Sequence, residues 1–168
     1  MKIRHATQDM DLTYMVDLIN RVYQVAEEGL WADGYQRTYP QALAESIARG
    51  EIIVAQETGR IRGVVRLLES GVAGTEFGML AVEENYRGRG FGRDLVRHVE
   101  DLSRNLGKTF IQLLLVMPRD WEHEGKKALA EWYQAMGYVF VDSSPFEPEH
   151  DLASRRVPCM GWRYRKPL

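Results

Sequence analysis

The 168-residue chain has one cysteine, no long apolar run and no surplus of positive charge, and each shortage removes a class of protein. Cys159 alone cannot close an intramolecular disulfide. Met1-Lys2 leads into polar sequence with no apolar signal segment, so a reducing, cytoplasmic setting is expected. The longest apolar stretches, such as Leu113 to Met117, fall far short of the ~20 residues a membrane-spanning helix needs, so no membrane partner is expected. With 22 Lys and Arg against 24 Asp and Glu, the net charge is −2. There is no global positive field to hold a polyanion, and nucleic acid could bind only through a local patch. His5, His98, His123 and His150 are scattered without metal-ligand spacing, so no metal is expected. Repeats, low-complexity stretches and linkers are also missing, and a single domain over residues 1–168 is the expectation.

What is present reads as an α/β chain. Lys2 to His5 is strand-like, and Asp9 to Gln24 has helical period, with Leu12, Met15, Leu18, Ile19, Val22 and Tyr23 on one face. Glu27 to Tyr39 combines Gly, Asp and aromatics without a period and reads as an ordered loop. Pro40 opens a short helix that ends before Gly50. Glu51 to Gln56 and Ile61 to Leu68 form a hairpin about Glu57-Thr58-Gly59-Arg60, and Ser70 to Gly74 connects to a strand from Thr75 to Val82. A helix follows from Gly90 to Leu106, with Leu95, Val96, Val99, Leu102 and Leu106 as its buried stripe. Thr109 to Val116 is nearly all apolar, as a central strand requires. A helix from Glu124 to Met136, a strand from Tyr138 to Val141, a Pro- and acid-rich loop from Ser144 to Ser154 and a strand from Arg156 to Arg165 complete a mixed sheet with helices packed on it.

The segment richest in chemistry is Leu80-Ala81-Val82-Glu83-Glu84-Asn85-Tyr86-Arg87-Gly88-Arg89-Gly90-Phe91-Gly92-Arg93. A strand enters a loop with glycines at alternate positions, and the loop opens a helix. Glycine permits close backbone approach, and the free N–H groups at a helix start favour phosphate. Arg87, Arg89 and Arg93 add guanidinium groups suited to a diphosphate. The Lys-Ser/Thr of a nucleotide-triphosphatase loop is missing after Gly92, and Arg93 stands where a dinucleotide fingerprint needs its third glycine. A tight turn with solvated arginines is the plain alternative.

The run Arg87-Gly88-Arg89-Gly90-Phe91-Gly92 resembles the acetyl-CoA-binding motif of the GNAT superfamily, the Gcn5-related N-acetyltransferases, whose pattern is Gln/Arg-x-x-Gly-x-Gly/Ala. Downstream, Ala130-Glu131-Trp132-Tyr133-Gln134-Ala135-Met136-Gly137-Tyr138 is similar to the family's Ala-x-x-Leu-Tyr-x-x-x-Gly-Phe segment. The resemblance implies a mostly antiparallel sheet of about seven strands, flanked by about four helices and splayed between its central strands. It implies an enzyme that binds acetyl-CoA through Leu80, Ala81, Val82 and the loop Arg87, Gly88, Arg89, Gly90, Phe91 and Gly92, and passes the acetyl group to an amine. Glu76 matches a catalytic glutamate of several members and would deprotonate the amine; its alternative is a strand residue paired with an arginine. Tyr133 matches the family's acid, which would protonate the leaving thiolate; packing against Leu129 and Met136 is its alternative. Lys127 stands where the family often has an Asn, and Lys126 and Lys127 read as a solvated basic face.

The acceptor site implied by the resemblance lies between the first helical region and the loop before the last strand. Glu27, Glu28 and Asp33 with Trp31, Tyr35 and Tyr39, and Glu147, Glu149 and Asp151 with Phe146, suit a cationic small-molecule or peptide amine. Gly78 marks a bulge or a close approach within its strand. Cys159 reads as a buried structural thiol, His98 as solvated and His123 as a loop residue. A homodimer is among the allowed assemblies. Two other readings stay open on the sequence alone: a non-catalytic acyl-CoA-binding regulatory module, and a nucleic-acid binder using the arginines of residues 87 to 97.

Overall fold

The computed structural model describes residues 1–146 and 156–168. The chain runs β1 (Lys2–His5), α1 (Leu12–Ala26), α2 (Pro40–Ala48), β2 (Ile52–Glu57), β3 (Arg60–Ser70), β4 (Gly74–Val82), a 3-10 turn (Glu84–Tyr86), α3 (Phe91–Asn105), β5 (Phe110–Pro118), α4 (Glu124–Ala135), β6 (Val139–Phe146) and β7 (Cys159–Pro167). The seven strands form one sheet in the order β1-β2-β3-β4-β5-β7-β6. Every neighbouring pair is antiparallel except β4 and β5.

Local chemistry sets the ends of the elements. Asp11 Oδ1 accepts from the Tyr14 amide at 2.9 Å and caps α1, while Pro40 starts α2 where its missing N–H costs nothing. β2 alternates its faces: Ile52 and Val54 join Met15, Leu18, Ile19 and Leu43 under α1 and α2, whereas Ile53 and Ala55 join Leu95, Val96 and Val99 under α3. The sheet is therefore covered on both sides, with α1 and α2 on one face and α3 and α4 on the other.

The central feature lies in β4. Thr75 and Phe77 face α3, with Thr75 Oγ1 2.6 Å from Ser103 Oγ. Beyond them the alternation slips: Met79 and Ala81 lie in the core under α1, and Leu80 and Val82 pack on the α3 side. The slip is a bulge. Val64 pairs with Ala81 and Arg66 with Gly78, so Val65 opposes two residues, Met79 and Leu80, and Met79 takes a left-handed φ of 51°. On its other side β4 pairs with β5 at only three positions, Gly74–Phe110, Thr75–Ile111 and Glu76–Gln112. From Phe77 onward the two strands part.

Several sequence expectations need correction. Leu106 is 58% exposed and ends α3 instead of extending its stripe; the helix axis has carried it off the buried face, which Glu100 and Ser103 share with Leu95, Val96 and Val99. β6 continues through Ser144 to Phe146, because its outer edge is unpaired and tolerates Pro145. β7 begins at Cys159 and not at Arg156. His98 is half-buried, and burial, followed by the nearby charge of His5, holds its pKa below the ordinary histidine value.

Candidate active site

Two walls of the splay are defined by what β4 and β5 do not pair with. Along Phe77–Val82 the edge of β4 that faces β5 has no ladder partner. A Cβ built at Gly78 would meet nothing within 4 Å, so the strand borders open space there. Leu80, Ala81 and Val82 lie in this stretch, immediately before the 3-10 turn and the glycine loop.

The loop is held by a cation–aromatic stack that involves one of the three arginines. Arg89 lies 4.4 Å from the Tyr86 ring centroid and 3.6 Å from Glu57, and Arg62 lies over the same ring at 4.5 Å while bonding Glu83 at 2.6 Å. The Arg89 side chain is thus engaged by the fold. Arg87 and Arg93 are exposed and make no ion pair among the described residues. Gly88 and Gly90 have φ of 72° and 90°, in the region that favours glycine. Gly90 is the N-cap of α3 and provides no side-chain cap, so the first-turn amides of Phe91, Gly92 and Arg93 have no intrahelical partner. Nothing lies within 4 Å of a Cβ at Gly88, and only Asp94 Oδ2, at 3.8 Å, approaches one at Gly90. This is an open cradle of donors at the positive end of a helix, which fits a diphosphate.

α4 closes the other side. A Cβ at Gly92 would lie 3.8 Å from both Val82 and the Trp132 ring, so the two segments that carry the family resemblance touch each other. Tyr133, next on α4, is buried with its ring 5.8 Å from those of Phe77 and Tyr138. Its hydroxyl makes no hydrogen bond among the described residues. Burial, and then the neighbouring Tyr23 phenol, push its pKa upward, so the proton stays on oxygen throughout the physiological range. Tyr23 reaches the same place from α1 on the opposite face: its phenol, also raised by burial, accepts from the backbone N–H of Leu80.

Glu76 occupies the last paired rung below the opening. Its Oε2 accepts from Gln112 Nε2 at 2.8 Å. Gln112 also donates to Ser70 at 3.1 Å and accepts from Arg165 Nη2 at 2.9 Å. Glu76 is therefore oriented through an amide and not by direct pairing with an arginine. Gln112, the lone polar residue in the apolar run of β5, is the signal for this contact in the sequence.

On the acceptor side two expectations change. Glu27 and Lys126 are buried against each other, Nζ to Oε1 at 2.8 Å, and Trp31 Nε1 donates to Glu27 Oε2 at 2.5 Å. Lys126 is thus no part of a solvated face, because it faces the loop that follows α1, and Glu27 is neutralised and does not contribute to an acidic field. Lys127 is exposed, 3.9 Å from Glu122. Glu28 and Asp33 are exposed on the same loop, whereas Glu147, Glu149, His150 and Asp151 lie outside the described residues. His123 caps α4, accepting from the Lys126 amide at 3.3 Å, and stacks on Trp121. Cys159 is buried. No cluster of three metal-ligating side chains occurs among the described residues, and no described helix is long and apolar enough to cross a membrane.

The sheet is split at its centre, and an open cradle of donors lies at the end of the split strand. The chain belongs to the GNAT acetyltransferase domain family, whose model matches residues 48–140. No curated protein matches the sequence. Among solved structures, the ribosomal-protein-alanine N-acetyltransferase of Brucella melitensis superposes with a TM-score of 0.71 at 16% identity, covering 100% of both chains. An aminoglycoside 6'-N-acetyltransferase complexed with coenzyme A gives 0.67 at 18%, covering 99% of this chain and 97% of that one. The N-acetylglutamate synthase of Neisseria gonorrhoeae, complexed with coenzyme A and N-acetyl-glutamate, gives 0.68 at 18%. Coverage there is 99% of this chain but 35% of the synthase, so the chain spans about a third of that protein's length. At these identities the likeness is one of fold.

Proposed function

We propose that residues 1–168 form one cytoplasmic N-acetyltransferase domain that transfers acetyl from acetyl-CoA to a primary amine by direct attack in a ternary complex. The observation that carries this reading is the unpaired edge of β4 over Phe77–Val82, which runs straight into the open donor cradle of Gly88–Gly92. The cradle holds the diphosphate, with Arg87 and Arg93 free to reach its oxygens. Backbone N–H groups at Leu80, Ala81 and Val82 bind the pantetheine arm and polarise the thioester carbonyl, which is the logic of an oxyanion hole. Acetyl-CoA supplies an acyl group already activated as a thioester.

The amine arrives protonated, since an alkyl ammonium titrates near ~10.4. Glu76 accepts one proton, directly or through water. The nitrogen then bonds to the carbonyl carbon as the carbon–sulfur bond breaks. Tyr133 gives its phenolic proton to sulfur, and the second nitrogen proton restores the phenol. Two protons leave nitrogen and one ends on sulfur, so one is released per turnover through Glu76.

Thiol release from acetyl-CoA across a panel of amines tests the reading. Transfer to at least one amine is expected, and Glu76→Gln should lower the rate by roughly 10²–10⁴-fold. The defect should be greatest at pH 6 and partly relieved at pH 9, where free amine forms unaided. A pH-independent defect accompanied by a lowered melting temperature would make Glu76 a structural residue only.

A further inference from the structure

The end of α1 and the loop that follows it wall a cleft of about 440 Å³, whose lining includes Asn20, Tyr23, Tyr35, Arg37 and Arg156. Arg37 is its unusual member. The guanidinium carbon sits 5.1 Å from the Tyr23 ring centroid, and Nε is buried with no hydrogen-bond partner. The guanidinium hydrogen-bonds to the hydroxyls of Tyr23 and Tyr35 but has no carboxylate partner among the described residues. The nearest buried carboxylate, Glu27, is already taken by Lys126 and the Trp31 indole. Arg37 is nevertheless fixed in place, because Thr38 and Asn20 bond each other reciprocally, Thr38 N to Asn20 Oδ1 at 3.1 Å and Asn20 Nδ2 to Thr38 O at 3.0 Å. A guanidinium has five donors and cannot lose its charge, and leaving it desolvated without an anion is costly. Its planar fork matches one carboxylate. The exposed carboxylates of Glu28 and Asp33 on the same loop disfavour ligands of higher negative charge.

Position connects this group to the reaction. Tyr23 carries Arg37 over its ring and directs its hydroxyl toward the Leu80 backbone, at the opening between β4 and β5. A ligand anchored on Arg37 therefore lies one tyrosine ring from the thioester site. Resting on the acetyltransferase reading above, we propose that the acceptor is an amino acid, whose carboxylate is held by Arg37 while its amine faces β4. The acidic loop had pointed to a plain cation; an arginine in the same cleft with an orphaned Nε and no carboxylate partner among the described residues calls for a zwitterion.

The test compares amino acids with their decarboxylated counterparts, such as lysine with cadaverine and phenylalanine with phenethylamine, by thiol release in wild type, Arg37→Gln and Arg37→Lys. Wild type should favour the carboxylate-bearing member of at least one pair by about 10- to 100-fold in kcat/KM, the scale of a charge-assisted hydrogen bond. The ratio should collapse toward one in Arg37→Gln and be intermediate in Arg37→Lys, with the coenzyme A Kd and the melting temperature unchanged. A second arm titrates amino acids against the Trp31 fluorescence of the coenzyme A complex, since Trp31 stacks on Tyr35 at 4.6 Å in the cleft. Transfer to amines without any carboxylate preference, or equal losses for both members in Arg37→Gln, would overturn the proposal and leave the acetyltransferase reading standing. Arg37-dependent quenching without transfer to any amine would keep Arg37 as a carboxylate site but remove the acetyltransferase reading and with it the acceptor role. Neither transfer nor quenching would remove both.

Discussion

Replacing Lys126 by Met tests the contact that joins α4 to the acceptor loop. The two side chains of the Lys126–Glu27 pair are only 4% and 3% exposed, and their atoms meet at 2.8 Å. Lys126→Met keeps the length of the stem but leaves the Glu27 carboxylate desolvated, with the Trp31 indole as its one remaining side-chain hydrogen bond among the described residues. Breaking one side of a buried pair costs about 3–5 kcal/mol, a large share of the ~5–15 kcal/mol that stabilises a domain. At about 2–4 °C per kcal/mol for a chain of this size, the melting temperature should fall by roughly 6–20 °C. The double variant Glu27→Gln/Lys126→Met retains an oxygen for the indole and removes both charges. It should recover most of the loss, and the four proteins form a double-mutant cycle in urea unfolding. A single variant that loses less than about 1 kcal/mol, the range of exposed ion pairs, would refute the reasoning. Lys126 precedes Tyr133 by two helical turns and so shares its face; the same substitution should also lower acetyl transfer by displacing α4.

Three further outcomes follow from the site and its surroundings. Gly90→Glu should abolish calorimetric coenzyme A binding while costing only about 1–2 kcal/mol of stability, the penalty of a side chain at positive φ; unchanged affinity would remove the diphosphate from this loop. Tyr133→Phe should slow transfer by roughly 10²–10⁴-fold without loss of stability, because the deleted hydroxyl has no partner among the described residues, and full activity would reduce Tyr133 to packing. The Glu51 carboxyl, although burial pushes its pKa up, is held below the usual value by hydrogen bonds from Arg49 at 2.6 Å and Arg66 at 2.9 Å. Its stabilising effect is present above the unfolded-state pKa and is lost as pH falls through the folded one. The stability gap between wild type and Glu51→Gln should therefore narrow from pH 7 to pH 3, and a constant gap would count against the assignment.

The elements legible in the sequence are those whose signal is local. Pro40 and the Gly59 turn set ends, the period of Leu95, Val96 and Val99 sets a face, and the apolar run of β5 marks a strand covered on both sides. The loop of Gly88 and Gly90 was equally legible, since positive φ at a helix start leaves glycine as the natural choice. The bulge was legible only in part. Gly78 drew attention, but the residue that bends the backbone is Met79, whose side chain finds room under α1 and offsets the cost of its φ. Lys126 and Arg37 were not legible at all. Each looks like any other basic residue until the chain folds, because their burial depends on partners far away in sequence: Glu27 for the one, and the Asn20–Thr38 bonds that fix the loop for the other.

The position of the chemistry follows from where the sheet stops pairing. A strand edge buried in a sheet must satisfy its N–H and C=O groups, and β4 and β5 do so for only three residue pairs. The bulge at Met79 and Leu80 turns the strand, and Tyr23 and Tyr133 approach the gap from opposite faces of the sheet. The Tyr23 hydroxyl meets the Leu80 backbone and the Tyr133 hydroxyl has no hydrogen-bond partner among the described residues. Donors therefore converge on one opening: the β5-facing edge of β4 beyond Glu76, the phenol of Tyr133, the first-turn amides of α3 and, one ring away, Nε of Arg37. Packing alone gains nothing from leaving such groups unpaired. On the proposed function, a diphosphate, a thioester carbonyl and a carboxylate-bearing acceptor would satisfy them in that order along the split, so the geometry that weakens the sheet is the one the proposed substrates would fill.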